Sequence, residues 1–141
     1  TFSGIHGLGT STAARVHMIF SNPNGEVGSI STAGSSTSFN TSSDRRLKED
    51  FKDFCDGLSL LRKLNVLDYR RVVDGPTGPR EVGLVAQDVQ EVIPGMVLAP
   101  EDDGYWQIDY SKAVPYLISA VQELVKRVEH LESVVAGPSG L

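Results

Sequence analysis

The sequence predicts an α+β protein in which a β-rich segment precedes a mixed domain of short helices and hairpins that ends in one long helix. The first 43 residues contain 22 Ser, Thr or Gly and only two charged residues, Arg15 and Glu26. Short β-branched runs alternate with turn residues over much of the remaining chain. An apolar repeat of period 3.5 near the end is typical of a self-associating helix. We therefore expect two domains, 1–42 and 43–141.

Composition excludes several classes of protein. The net charge of −5 argues against a nucleic-acid partner, which would need a concentrated basic face. The apolar runs are far shorter than the roughly 20 residues of a membrane helix, so membrane insertion is not expected. One cysteine and three scattered histidines predict no disulfide framework, no metal site and no cofactor. A first residue other than Met suggests a piece of a longer chain.

The β-rich segment contains one clear hairpin signal. An apolar, β-branched run over 16–20 and a second predicted strand over 26–30 flank Asn24-Gly25, which supplies the positive φ angles of a tight turn. The polar stretch 31–43 is ambiguous. It is either a linker or part of a β-rich stalk in which several chains supply the missing neighbours.

The second half begins with a predicted helical region over 44–64. Gly57 splits it, and Asp56 is the expected N-cap of its second part. The prediction depends on apolar residues with spacings of 4, 3, 4 and 3, namely Leu47, Phe51, Phe54, Leu58 and Leu61.

Two hairpins and a short helix should come next. Runs 66–73 and 81–86 read as strands joined by a long Pro/Gly-rich loop. A helix over 87–93 should end at Pro94-Gly95. Runs 96–98 and 105–108 flank an acidic turn.

The last helix should run from about 112 to about 136, with Ser111 as N-cap and Gly137-Pro138 as its end. Val occupies every a position and Leu every d position over three heptads, which favours parallel self-association over the core stripe of a monomeric helix. By itself, Val at a with Leu at d weakly favours two strands over three. The interface residues would be Val114, Leu117, Val121, Leu124, Val128, Leu131 and Val135.

Candidate chemistry falls where the composition changes. Ser43 is a possible nucleophile and Lys48 a possible base, since a lysine that burial or nearby cations keep neutral can take a hydroxyl proton. A spacing of five puts two residues about 140° apart on a helix, so they could meet only if Ser43 precedes the helix. The alternative is an ordinary helix start with Ser43 or Asp44 as N-cap.

A family resemblance favours the chemical interpretation. The stretch Ser43-Asp44-Arg45-Arg46-Leu47-Lys48, together with the later stretch Val82-Gly83-Leu84-Val85-Ala86-Gln87, resembles the C-terminal intramolecular chaperone and auto-processing domain of phage tail spikes and tail fibres, the endosialidase type. The resemblance covers 43 to about 135. The Pro/Gly-rich loop 74–79 is short for this family, whose long loops reach onto the fibre.

The resemblance implies a homotrimer whose terminal helices form a parallel bundle and whose chaperone domain directs folding of the upstream stalk of the same chain. The domain then releases itself as a single-turnover serine peptidase, with Ser43 as nucleophile and Lys48 as base. The mature part would lie in the virion tail and serve host adhesion, and the chaperone would act in the host cytoplasm. The alternative is a non-cleaving trimerisation or receptor-binding tip.

The bond that is cut can be argued from chemistry. Ser43 Oγ can attack the carbonyl carbon of Ser42 through a five-membered ring, whereas attack on its own carbonyl needs a strained four-membered ring. We therefore expect cleavage of the Ser42–Ser43 bond, with the Ser43–Asp44 bond as the open alternative.

Overall fold

The computed structural model describes residues 10–137, and the chain divides into two units between Phe51 and Lys52. Strands and helices are both present, which confirms the α+β class. No helix within the described range is long and apolar enough to cross a bilayer.

The first unit contains a three-stranded antiparallel sheet. β1 (Arg15–Asn22), β2 (Gly25–Ala33) and β3 (Ser36–Thr41) pair in sequence order, so the predicted hairpin is confirmed. Gly25 has a φ of 97°, but Asn24 does not have a positive φ, contrary to the prediction, because the two-residue connection is Pro23-Asn24 and Gly25 already pairs with Asn22. The linker interpretation of 31–43 is wrong, since β2 and β3 occupy most of that stretch.

The two faces of this sheet differ in chemistry. Cross-strand partners Met18, Ile30 and Phe39 form an apolar row on one face, and Phe39 is 79% exposed. On the other face the Asn40 side-chain amide donates to Ser29 Oγ at 3.3 Å and to Ser31 Oγ at 3.0 Å. Hydrogen bonds between side chains therefore stabilise the polar face, while Met18 and Ile30 in the apolar row are half-buried and Phe39 is exposed.

The first part of the predicted helical region over 44–64 is wrong, and the second part, which begins at Gly57, is confirmed with a shorter span. A 3-10 turn covers Arg45–Leu47, and helical structure returns only in α1 (Gly57–Leu61). Lys48 is extended and Asp50 has a φ of 51°, the left-handed region, and neither conformation can continue a right-handed helix. The apolar spacing at the start of this region therefore does not mark a buried helix face, and Leu47 is 65% exposed.

Two short hairpins in the second unit confirm the predicted ones with shorter strands. β4 (Leu67–Tyr69) pairs with β5 (Glu81–Gly83), and β6 (Val97–Leu98) pairs with β7 (Gln107–Ile108). A 3-10 turn over Val72–Asp74 ends the first strand earlier than predicted. In the connecting region, Arg71 forms two hydrogen bonds to the Glu81 carboxylate, at 2.9 and 3.0 Å, which lower the pKa of Glu81.

The core of the second unit forms around α2 (Ala86–Val92), which confirms the predicted short helix and its end before Pro94. Val89, Ile93 and Met96 are almost completely buried there. Partly buried side chains from the surrounding elements complete this core: Leu60, Leu61, Leu64, Leu84, Val92, Val97, Ile108, Ala113 and Tyr116.

The last helix, α3 (Val114–Ala136), ends at Gly137, where φ is 67°, as predicted. Its start differs from the prediction. A 3-10 turn over Tyr110–Ala113 leads into it, and Asp109 caps that turn by accepting the Ser111 N–H at 3.0 Å. Ser111 is not the N-cap of α3; Ala113 stands at that position without a side-chain capping bond.

α1 packs against one side of α3 through a very close approach. A Cβ atom on Gly57 would lie only 2.5 Å from the Tyr116 carbonyl oxygen. The Ser119 hydroxyl donates to the Phe54 carbonyl at 3.1 Å, and the Leu58 N–H donates to the Glu123 carboxylate at 3.1 Å. Glu123, from a distant helix, therefore caps α1, while Asp56 stands at the N-cap without a side-chain capping bond.

Candidate functional site

The candidate site begins where β3 ends. Ser42 extends the pairing of the sheet, since its N–H donates to the Val27 carbonyl at 3.0 Å. Its hydroxyl donates to the Glu26 carbonyl at 2.8 Å. Two hydrogen bonds therefore fix the residue whose carbonyl group precedes Ser43.

The next residues form the 3-10 turn. The Leu47 N–H donates to the Asp44 carbonyl and the Lys48 N–H to the Arg45 carbonyl, each at 3.1 Å. Asp44 is the N-cap, and its Oδ1 accepts the backbone N–H of Arg46 at 2.8 Å. The Arg46 guanidinium also donates to both carboxylate oxygens of Asp44, at 3.0 and 2.8 Å. This ion pair and the backbone bond hold the pKa of Asp44 below its usual range, and the ion pair raises the pKa of Arg46.

This turn brings the two predicted chemical residues together. Lys48 leaves the turn with extended backbone angles, φ −135° and ψ 145°, and its Nζ lies 2.6 Å from Ser43 Oγ. The five-residue spacing, awkward on an α-helix, works here because Ser43 precedes the turn and Lys48 comes after it. The distance is that of a strong hydrogen bond and is short enough for proton transfer.

Solvent reaches the pair in the single chain. Ser43 and Lys48 are both exposed, as are their neighbours in the turn. As an ammonium group, Lys48 donates to Ser43 Oγ; to act as a base it must be neutral and accept the hydroxyl proton instead. Water favours the charged form of an amine, and exclusion of solvent or nearby positive charge favours the neutral form.

The two arginines beside Lys48 have partners of their own. The Arg45 guanidinium lies over the Phe51 ring, 4.7 Å from its centroid, while Arg46 binds Asp44. The cation–π contact links the start of the turn to the segment beyond Lys48.

The predicted interface residues of α3 lie on one exposed stripe, 46 to 85% accessible. Ile118 and Val125 widen the stripe at e positions and are also exposed. α1 covers a different side of the helix, at Tyr116, Ser119 and Ala120. α1 therefore leaves the apolar stripe uncovered.

No cluster of three or more His, Cys, Asp or Glu side chains within residues 10–137 is arranged to hold a metal ion. In the acidic turn, Asp102 instead accepts the N–H of Gly104 at 3.1 Å.

Two sets of contacts were missed from the sequence, the hydrogen bonds of Ser42 in the site and the cap of α1 in the second unit. Ser42 is fixed by its strand partners, which only the sheet register reveals. Glu123 caps α1 from 65 residues away in the sequence, so no local sequence pattern predicts this contact. Asp44 was considered as an N-cap only in the alternative to the dyad, whereas the structure combines the cap with the Ser43–Lys48 contact.

Comparisons with known proteins agree with the predicted resemblance. Residues 43–98 match the family described as chaperone of endosialidase. The chain is 34% identical to the long tail fibre proteins Gp37 of Enterobacteria phages K3 and T2 over 96 residues, which is 64% of this chain and 8% and 7% of theirs. It is 34% identical to the Gp37 protein of phage M1 over 97 residues, 39% of that protein. The chain therefore spans less than a tenth of the first two relatives.

Proposed function

We propose that this chain, whose residues 43–98 match the chaperone-of-endosialidase family, is an intramolecular chaperone of a phage tail fibre that assembles as a homotrimer and then cuts itself free. Ser43 is the nucleophile and Lys48 the base. The strands before Ser43 belong to the fibre, and the second unit drives assembly. The tail-fibre relatives support the assembly role.

One observation carries the chemical part of this proposal, the 2.6 Å contact between Lys48 Nζ and Ser43 Oγ. It lies at the first residue of the family match and directly after the residue that ends the pairing of the sheet. A cut at this position would separate the sheet from the chaperone without breaking a strand.

The proposed reaction is an acyl shift and then hydrolysis. Neutral Lys48 takes the proton of the Ser43 hydroxyl, and Oγ attacks the Ser42 carbonyl carbon through a five-membered ring. The C–N bond breaks, and the proton passes to the departing nitrogen, which leaves an ester. Water then opens the ester to a Ser42 carboxylate and regenerates the Ser43 hydroxyl.

The hydrogen bonds of Ser42 support this sequence of steps. Because its N–H and hydroxyl both bind β2, the carbonyl carbon that Oγ must reach is held at a fixed place. Holding the electrophile and the nucleophile in place lowers the entropic part of the barrier.

The assembly role is supported by the exposed stripe of α3. Parallel association of three stripes would bury apolar side chains, align the three chains and raise their local concentration. Alignment is the slow step for an intertwined β-stalk, which must join segments that are far apart and in the correct register. Once the chaperone is removed, the stalk cannot refold, and its stability becomes kinetic.

Assembly would also control the chemistry. In one chain the pair is exposed to water. Neighbouring chains that cover this turn would exclude solvent, favour the neutral form of the amine and start the reaction. Cleavage would therefore come after assembly and occur in the host cytoplasm, whereas the mature fibre would lie in the virion tail.

The test is the intact mass of the freshly purified chain and of its Ser43→Ala and Lys48→Ala variants, with Ser38→Ala, from the preceding strand, as the matched control. We expect two fragments that sum to the chain plus one water in the parent and in Ser38→Ala, and one intact mass in the other two. One intact mass in every sample would instead indicate a non-cleaving trimerisation or receptor-binding tip. N-terminal sequencing of the released C-terminal fragment identifies the bond that is cut. A fragment that begins with Ser43 supports the acyl shift, and one that begins with Asp44 contradicts it.

A further inference from the structure

We propose that Asp44 is a positioning residue for the Ser43–Lys48 pair, an inference that rests on the self-cleavage proposed above. Its carboxylate takes no part in proton transfer. It acts by closing the turn that carries Lys48 back to Ser43.

Asp44 stabilises the turn together with its two main-chain hydrogen bonds and the Arg45–Phe51 contact. None of the residues Arg45–Leu47 is buried, so apolar packing contributes little to its stability. The Asp44 carboxylate is the side-chain group that satisfies a free N–H at its start, that of Arg46, at 2.8 Å. Short 3-10 helices have weak main-chain hydrogen bonds, so a cap supplies a large share of their stability.

The closed turn is what makes the chemical contact frequent. A flexible segment of five residues has an average end-to-end distance of about 12 Å. In the structure the turn and the extended backbone of Lys48 bring the two side chains together, with Lys48 Nζ 2.6 Å from Ser43 Oγ. Opening the turn would therefore remove the base from the nucleophile in most molecules.

Asp44 makes two kinds of bond, and they can be separated. Its ion pair with Arg46 is exposed, with 88% of the arginine side chain accessible, so the charge contributes little. The bond to the Arg46 N–H needs only an acceptor oxygen. Asn and Ser supply such an oxygen without the charge, and Ala supplies none.

The experiment compares Asp44→Asn, Asp44→Ser and Asp44→Ala in the full 141-residue chain. The cleavage rate of each variant is measured by intact mass in its oligomeric fraction alone. We expect the first two within about threefold of the parent and the Ala variant roughly tenfold slower. Cleavage of the Ala variant at the parental rate would overturn the inference, and so would Asn and Ser variants as slow as Ala. Where the Ala variant does not assemble, the Asn variant decides: a roughly tenfold loss contradicts the inference.

A second readout separates this inference from the proposed function. In the uncleavable Lys48→Ala background, hydrogen exchange of the Arg46 amide should be faster with Asp44→Ala and unchanged with Asp44→Asn. Unchanged exchange with Asp44→Ala would contradict the capping role. Failure of the parent chain to cleave, with this exchange pattern intact, would reject the proposed function and leave the turn cap in place.

Discussion

The turn at 42–48 and the helix α3 differ in how far one chain satisfies their contacts. In the turn, the ends, the cap and the two chemical side chains are held by hydrogen bonds between near neighbours or to the adjacent strand. In α3, one side is locked against α1, yet the apolar stripe stays about half exposed or more.

This comparison separates the distance between the reacting groups from their exposure to solvent. One chain is enough to bring Ser43 and Lys48 within hydrogen-bonding distance, but it leaves both in water. The apolar stripe is left exposed by α1, and under the proposed assembly other chains would bury it. In the proposed reaction, the local turn would set the distance between nucleophile and base. Assembly would exclude the solvent that favours the charged amine.

The largest expected effect comes from Lys48→Arg. Arginine keeps the positive charge and much of the length, but it does not lose its proton in proteins. We expect cleavage to fall by at least about a thousandfold while assembly is unchanged. Mass spectrometry of the size-fractionated chain measures both, and an Arg variant that cleaves like its parent would remove Lys48 from the mechanism.

Leu124→Asp tests the other side of the comparison. The change places a charge on the stripe, where it would oppose burial against other chains, and Ser133→Asp adds the same charge outside the stripe. We expect Leu124→Asp to prevent assembly and to slow cleavage at least about a hundredfold, and Ser133→Asp to do neither. Efficient cleavage in a monomeric Leu124→Asp chain would show that assembly does not control the reaction.

Gly57→Ala should weaken the locked side of α3. The new Cβ would lie 2.5 Å from the Tyr116 carbonyl and 2.7 Å from the Ala120 nitrogen, so the helices must separate. We expect a loss of about 1 to 3 kcal/mol and a lower Tm in the Lys48→Arg background. Gly95→Ala is the matched control, because nothing lies within 4 Å of its new Cβ. Equal Tm values for the two variants would refute the close packing.

The smallest effect concerns the cap before α3. The hydrogen bond from Ser111 lowers the pKa of Asp109. Its contribution to stability is therefore complete above the unfolded pKa of about 3.9 and is lost as the pH falls through the folded value. Melting of the Lys48→Arg chain between about pH 5 and 2.5 should show a smaller acid-induced fall in Tm when Asp109→Asn is added. An unchanged fall would exclude Asp109 as a contributor.

Local patterns allowed much of this structure to be predicted. The hairpin at Gly25, the helix before Pro94 and the helix ending at Gly137 agree with turn residues and periodicity. The first part of the helical region predicted over 44–64 failed because apolar spacing alone cannot reveal the left-handed backbone at Asp50. Gly57 does begin a separate helix as predicted, but its role in letting α1 approach α3 depends on a contact distant in sequence and was not foreseen.

The candidate site divides in the same way. Ser43 and Lys48 could be selected because their residue types and order carry the chemistry. The bonds that hold Ser42 depend on the register of β3 against β2, and no spacing in the sequence specifies that register.

The most direct test of assembly-controlled cleavage is the cleavage rate as a function of chain concentration. The chain would be made by cell-free synthesis at several dilutions, and intact mass and oligomeric state would be measured together from the first minutes. If assembly supplies the environment of Lys48, the rate should fall steeply on dilution, and cleaved chains should appear only after oligomers form. A rate independent of concentration, with cleaved chains present before any oligomer, would contradict this control by assembly.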